Sequence, residues 1–235
     1  LHEPVSFVDI CLVNARTIMA AAILPPNSFR EAMQSKYKVE WLLATKEELK
    51  SLLENKVFET IKLRDLPPGT TIVHGRFVYK VKPNADGTIK LFKVRLVVRG
   101  DLTKEGVHYK GTFAPVAAAS TIRLILAIAT TLKFYIRDVD FKTAYLNAKR
   151  EEGDHDVYMQ PPEGAGAAHD EIWLIKRALY GMPDSARLWY KTLVNSLKTF
   201  DFKQSALDPC LFYKRNKGEF TLITVVVDDM LIASA

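Results

Sequence analysis

Near the end of the chain an apolar run is broken where a break is hardest to accommodate. Phe220-Thr-Leu-Ile-Thr-Val-Val-Val leads into two adjacent acids, Asp228 and Asp229, and then continues as Met230-Leu-Ile-Ala. Burying an ionised carboxylate with no partner costs several kcal/mol. The run therefore predicts a tight hairpin, its apolar arms buried and the two acids at the tip. Acids break a similar run upstream, Tyr135-Ile136-Arg137-Asp138-Val139-Asp140-Phe141. On a strand Asp138 and Asp140 share one face, and Arg137 and Val139 share the other. Carboxylates from two strand ends suit a hard cation such as Mg²⁺, which takes oxygen ligands. A pair of such ions suits phosphoryl transfer. An ordinary exposed Asp-Asp turn accounts for the same residues.

The charge distribution narrows the choice. The net charge is +6, and the window Arg76 to Lys110 carries nine Lys/Arg against three acids, so the rest of the chain is neutral. Inside that window Phe77, Tyr79 and Val81 alternate with Arg76, Val78, Lys80 and Lys82. Beyond Pro83-Asn84-Ala85-Asp86-Gly87, Phe92, Val94, Leu96 and Val98 alternate with Lys93, Arg95, Val97 and Arg99. Period two on both arms predicts a hairpin with one apolar and one basic face. Such a ribbon suits a polyanion, either a nucleic-acid backbone or a triphosphate. A solvated outer face explains the charges equally well.

The remainder reads as α+β. Residues 1–27 lack a clear pattern, and the start at Leu1 leads us to expect a piece of something longer. Trp41, Ala44, Leu49, Leu52 and Leu53 predict a helical stretch within Ser28 to Asn55, with Glu47, Glu48 and Glu54 on other faces. Ser120 is the expected N-cap of a helix through Leu132, its apolar face made by Leu124, Ile125, Ile128 and Ala129. Strands are expected at Phe134 to Phe141, Val157 to Met159, Ile172 to Ile175, Leu211 to Tyr213 and Phe220 to Ile232. Asp184 or Ser185 is expected to cap a helix bearing Trp189, Leu193, Val194 and Leu197. With 235 residues and 48% apolar side chains, one large or two small domains fit, and a wholly disordered chain is excluded. No uncharged apolar stretch reaches the length of a membrane span. Two cysteines, Cys11 and Cys210, make no disulfide framework and point to a reducing compartment.

Several segments, in order, resemble the Ty1/copia-type retrotransposon reverse transcriptases. Val227-Asp228-Asp229-Met230-Leu231-Ile232 resembles that family's catalytic box. Asp140-Phe141-Lys142-Thr143-Ala144-Tyr145-Leu146-Asn147 resembles its first catalytic motif. Phe77 to Lys82, Asp86-Gly87 and Lys93 to Val97 resemble its fingers hairpin. Thr112-Phe113-Ala114-Pro115-Val116, Thr121-Ile122-Arg123, Pro162-Glu163-Gly164, Leu179-Tyr180-Gly181, Arg187-Leu188-Trp189-Tyr190 and Asp208-Pro209-Cys210-Leu211-Phe212 also match. Together the matches cover residues 28–235.

The resemblance implies a fingers and palm fold truncated before the thumb, with an antiparallel palm sheet and packed helices. The basic hairpin would be 76–99 and the palm motifs 134–147 and 220–235. It implies an RNA-directed DNA polymerase that extends a primer from dNTPs on an RNA or DNA template. Asp140, Asp228 and Asp229 would be the catalytic carboxylates and metal ligands for two Mg²⁺, with Mn²⁺ as a substitute. Asp140 and Asp228 would bind both ions, the Phe141 carbonyl would join them, and Asp138 would stand by. Lys80, Lys82, Lys93 and Arg95 would grip the triphosphate, and Tyr145 would block a ribose 2′-OH. The implied partners are template, primer, dNTPs and the integrase and ribonuclease H parts of a polyprotein. The implied setting is intracellular: cytoplasmic in a virus-like particle, or nuclear, with no membrane.

Two departures stand out. Val226 replaces the Tyr that opens the family's box. Met182-Pro183-Asp184 replaces its Leu-Lys-Gln, so Asp184 falls where the Gln would meet the incoming nucleotide and places a negative charge there. These departures favour an alternative: a catalytically decayed, nucleic-acid-binding remnant. A metal-dependent nuclease or phosphatase would use the same carboxylates but leaves the other motifs without a reason.

Overall fold

A computed structural model describes residues 23–150, 153–216 and 218–235. Most of the expected lead-in, and Cys11 with it, lies outside the described residues. The chain divides into two compact units, one formed by Leu1–Leu102 with Val157–Ile175, the other by Thr103–Asp156 with Lys176–Ala235.

In the first unit the expected helical stretch is two helices, α1 (Phe29–Gln34) and α2 (Lys38–Glu54). Ser28 caps α1 by accepting the Glu31 N–H. Ser35 then turns extended and ends it. On α2, Trp41, Ala44 and Leu52 are buried as expected, but Leu53 is 62% exposed. Leu53 directly follows Leu52, and a 100° step carries it off the buried stripe.

Five strands form this unit's sheet: β1 (Phe58–Lys62), β2 (Ile72–Pro83), β3 (Ile89–Val98), β5 (Val157–Gln160) and β6 (Glu171–Ile175). Their order is β1-β6-β5-β2-β3. All neighbours are antiparallel except β2 and β5, which run parallel. The basic hairpin is β2–β3, with Phe77 opposite Leu96 and Tyr79 opposite Val94. Its apolar face meets α2, where Trp41 packs edge-on against Tyr79 and Phe92, with centroids 5.4 and 4.6 Å away. Such ring pairs are each worth about 0.5–1.5 kcal/mol beyond the area they bury. β3 is an edge strand, and Glu48 of α2 answers its free edge by accepting the Leu96 N–H at 2.9 Å. That explains why Glu48 is half-buried rather than solvated. Burial pushes its carboxyl up, while the Leu96 hydrogen bond, Arg95 and Lys93 pull it back.

The second unit holds helices α3 (Ala119–Leu132), α4 (Ala144–Asn147) and α5 (Ser185–Thr199). Its strands are β4 (Tyr135–Asp140), β7 (Lys203–Gln204), β8 (Leu211–Asn216), β9 (Glu219–Val226) and β10 (Asp229–Ser234). They form one wholly antiparallel sheet in the order β4-β10-β9-β8-β7. Leu193, Val194 and Leu197 of α5 share a core with Ile223, Val225 and Met230. Ile125 and Ala129 of α3 share another with Leu222 and Ala233. Both faces of the β9–β10 hairpin are therefore covered, which is why its sequence is a continuous apolar run rather than an alternating one. Leu124 is 56% exposed, so the apolar face expected for α3 is narrower than its sequence suggests.

Neither expected side-chain cap forms. α3 begins one residue before Ser120, with Ala118 at its N-cap. Asp208 does the capping from a distant loop, accepting the Ala118 N–H at 3.1 Å and the Thr121 hydroxyl at 2.5 Å. It also accepts the Cys210 N–H at 2.8 Å. Asp184 stands at the N-cap of α5, but its side chain makes no cap hydrogen bond.

Candidate active site

The acids meet where β4 and β10 pair. Asp229 lies directly opposite Asp140, and Val226 flanks Asp229 on its other side. Val227 and Asp228 form the two-residue turn between β9 and β10. Asp138, Asp140, Asp228 and Asp229 are all exposed. Loss of surrounding water and the charges of Asp228, Asp140 and Asp138 together push the Asp229 carboxyl above its ordinary value. Crowded like charges with oxygen donors alone are the chemistry that a hard divalent cation relieves. Among the described residues no three His, Cys, Asp or Glu side chains are already gathered to grip an ion. The donor set fits such a cation by its chemistry and its register.

Two hydrogen bonds tie the turn down. The Phe141 N–H donates to the Asp228 carbonyl at 3.0 Å. The Trp189 indole N–H donates to the Val227 carbonyl at 2.6 Å. Beside the turn lies a cavity of about 100 Å³, lined by residues that include Pro115, Tyr145, Trp189, Tyr190 and Val227. Segments far apart in sequence thus converge on one small apolar space. Tyr145 is half-buried and packs on Tyr180 with centroids 5.1 Å apart.

Asp184 does not face solvent. Its side chain is 1% exposed and pairs at 3.2 Å with Arg150, itself 7% exposed. The carboxylate expected in a nucleotide's path is thus buried, with one oxygen paired to Arg150. Burial drives its carboxyl up, Arg150 opposes that, and the shift remains upward. Arg150 also donates to the His108 and His155 carbonyls. Arg187 donates to the Gly111 carbonyl and pairs with Asp154. Nothing in the sequence signals the Arg150 pair, because the partners lie 34 residues apart.

The basic candidates belong to the other unit. Lys80 lies opposite Lys93, and Val78 opposite Arg95, on the outer face of the ribbon. Lys80 and Lys82 are exposed, Lys93 and Arg95 half-exposed. The latter two feel the charge of Glu48.

A mixed α/β chain with paired acids at a hairpin turn defines a class, and comparison with known proteins gives it. The chain belongs to the reverse transcriptase (RNA-dependent DNA polymerase) family, whose model matches residues 56–235. Its relatives are of the Ty1/copia type. The retrovirus-related Pol polyprotein from transposon TNT 1-94 of Nicotiana tabacum is 34% identical over 211 residues, covering 88% of this chain and 15% of that polyprotein. That from transposon RE1 of Arabidopsis thaliana is 30% identical over 221 residues, covering 93% and 15%. The transposon Ty1-OR Gag-Pol polyprotein of Saccharomyces cerevisiae is 28% identical over 207 residues, covering 85% and 11%. The chain thus spans about a seventh of the length of the first two relatives. Among the described residues no helix is long and apolar enough to cross a membrane.

Proposed function

We propose that this chain is the fingers and palm part of an RNA-directed DNA polymerase within a retrotransposon polyprotein that also carries integrase and ribonuclease H. It extends a DNA primer on an RNA or DNA template. The primer 3′-oxygen bonds to the α-phosphorus of a dNTP, and the bond to the β-phosphate breaks to release pyrophosphate. The cross-strand pairing of Asp140 with Asp229, with Asp228 in the adjoining turn, carries this reading.

Asp140 and Asp228, with Asp229 and the Phe141 carbonyl, would hold two Mg²⁺ or Mn²⁺. Bound there, such ions supply positive charge to the attacking and leaving oxygens. The chain's own residues do the rest. Lys80, Lys82, Lys93 and Arg95 offset the triphosphate or backbone charge, and Arg95 brings a planar fork suited to phosphate oxygens. Tyr145 excludes a ribose 2′-OH. The setting we assign is intracellular, in a cytoplasmic virus-like particle or the nucleus.

Primer extension on an RNA template by the complete parent protein tests this reading. The wild type should incorporate dNTPs and Asp228→Asn should abolish incorporation. No incorporation by the wild type, or none lost in the variant, refutes it. Val226 in place of tyrosine, and Asp184 drawn into the interior, favour a second reading: a nucleic-acid-binding remnant without catalysis. That reading expects salt-sensitive binding with no polymerisation, and a flat plot of log affinity against log salt excludes it.

A further inference from the structure

The turn that carries Asp228 has a backbone its sequence does not favour. Val227 lies at φ +59°, a left-handed conformation that β-branched residues rarely adopt and that costs free energy wherever they do. Two-residue hairpin turns with a left-handed first position favour glycine there. With valine in place, something outside the turn must hold it.

The structure supplies one such group. Trp189 is 4% exposed. Its indole N–H meets the Val227 carbonyl at 2.6 Å. Its ring packs against Phe141 with centroids 5.1 Å apart and planes inclined at 66°. Phe141 follows Asp140, and Val227 precedes Asp228. One side chain therefore touches both segments that bear the acids. The cavity beside the turn is walled by Val227, Trp189 and Tyr145 among others, so the turn has space into which it can relax once released.

We propose that Trp189 is a positioning residue, whose indole N–H holds Val227 left-handed and so fixes Asp228 beside Asp140. The inference rests on the polymerase reading for its consequence in catalysis, but the anchoring itself is measurable without catalysis. The Phe141 amide, which donates to the Asp228 carbonyl, is the reporter.

Trp189→Phe keeps a ring against Phe141 and removes the donor. Benzothienylalanine installed at position 189 keeps the two-ring shape and removes the same donor, which guards against a phenylalanine variant that fails to fold. Either change should speed hydrogen exchange of the Phe141 amide by about tenfold or more. In the active parent protein it should lower kcat for dNTP incorporation by roughly 10- to 100-fold, with KM for dNTP changed by less than about threefold. A Val227→Gly background no longer needs the anchor. Removing the indole donor there should change exchange by less than about threefold. Unchanged exchange in the single variants, or an equal rise in both backgrounds, overturns the proposal. So does an unchanged kcat in an active protein. Faster exchange in a protein that never polymerises would keep the anchor and sink the polymerase reading instead.

Discussion

Replacing Asp208 by alanine should unlatch the start of α3. Asp208 is 8% exposed, and its carboxylate accepts from the Ala118 N–H, the Thr121 hydroxyl and the Cys210 N–H. Losing an N-terminal cap costs about 0.5–2 kcal/mol. Leaving the Cys210 N–H unanswered in the interior adds about 1–2 kcal/mol. The expected destabilisation is therefore about 1.5–4 kcal/mol, read as a shift of the denaturant midpoint at constant m. Asp208→Asn keeps an acceptor and loses the charge, so it should cost less than the alanine variant. A double-mutant cycle with Thr121→Val should give a coupling of about 1–2 kcal/mol, since the two side chains share one hydrogen bond. The acid limb supplies an independent check. Burial pushes the Asp208 carboxyl up, but the hydrogen bonds from Thr121, Cys210 and Ala118 outweigh it and hold the carboxyl below its ordinary value. A depressed carboxyl contributes stability in full above its unfolded value of about 3.9 and loses it as pH falls through the folded one. The wild type's advantage over Asp208→Asn should persist at neutral pH and shrink below about pH 4. A cost under about 0.5 kcal/mol, or strict additivity with Thr121→Val, would refute the latch.

Arg150→Met should destabilise the chain by about 3–5 kcal/mol, because it strands a buried Asp184 charge. Adding Asp184→Leu should recover most of that loss in the same unfolding assay. With its cation gone the Asp184 carboxyl rises further, and a raised carboxyl favours the native state as pH falls. The deficit of Arg150→Met should accordingly narrow between neutral pH and about pH 4–5. Gly164→Ala should cost about 2–4 kcal/mol by thermal melting, because Gly164 sits at φ +89° and an added Cβ would overlap the Phe29 ring. Reversing the charges of Lys93 and Arg95 together should raise KM for dNTP in primer extension. An unchanged KM removes the ribbon from nucleotide binding.

What the sequence made legible was whatever had a short period. Alternation marked both arms of the basic ribbon. The broken apolar run marked the β9–β10 hairpin, although its turn is Val227-Asp228 and not the expected Asp228-Asp229, and the 3.6 spacing of Trp189, Leu193 and Leu197 marked α5. The pairing of β10 with β4 did not follow from period alone, since no local rule says which strands become neighbours. β1 went unread because Phe58 to Lys62 alternates only weakly. The departures at Leu53 and Leu124 share one cause: an apolar residue on a helix flank is buried only if a neighbour reaches it. The Ser120 cap failed because Asp208, 87 residues away from Thr121, took over the task of the local serine. Trp189 was visible as core, but its donor role depends on where one carbonyl of a distant turn points.

The first sheet carries a consequence for synthesis on the ribosome. β5 and β6 are its inner strands, between β1 and the β2–β3 ribbon, yet they are encoded after the other three. Until residue 175 has emerged β1 lacks its full partner, and until residue 160 has emerged β2 is paired on one side only. The nascent ribbon would leave the exit tunnel with an open, unpaired flank while Thr103–Asp156 of the other unit is still being made. Non-local pairing of that kind is slow and prone to wrong association. A nascent-chain stall placed before β5 should therefore leave the ribbon more open to protease than a stall placed after it.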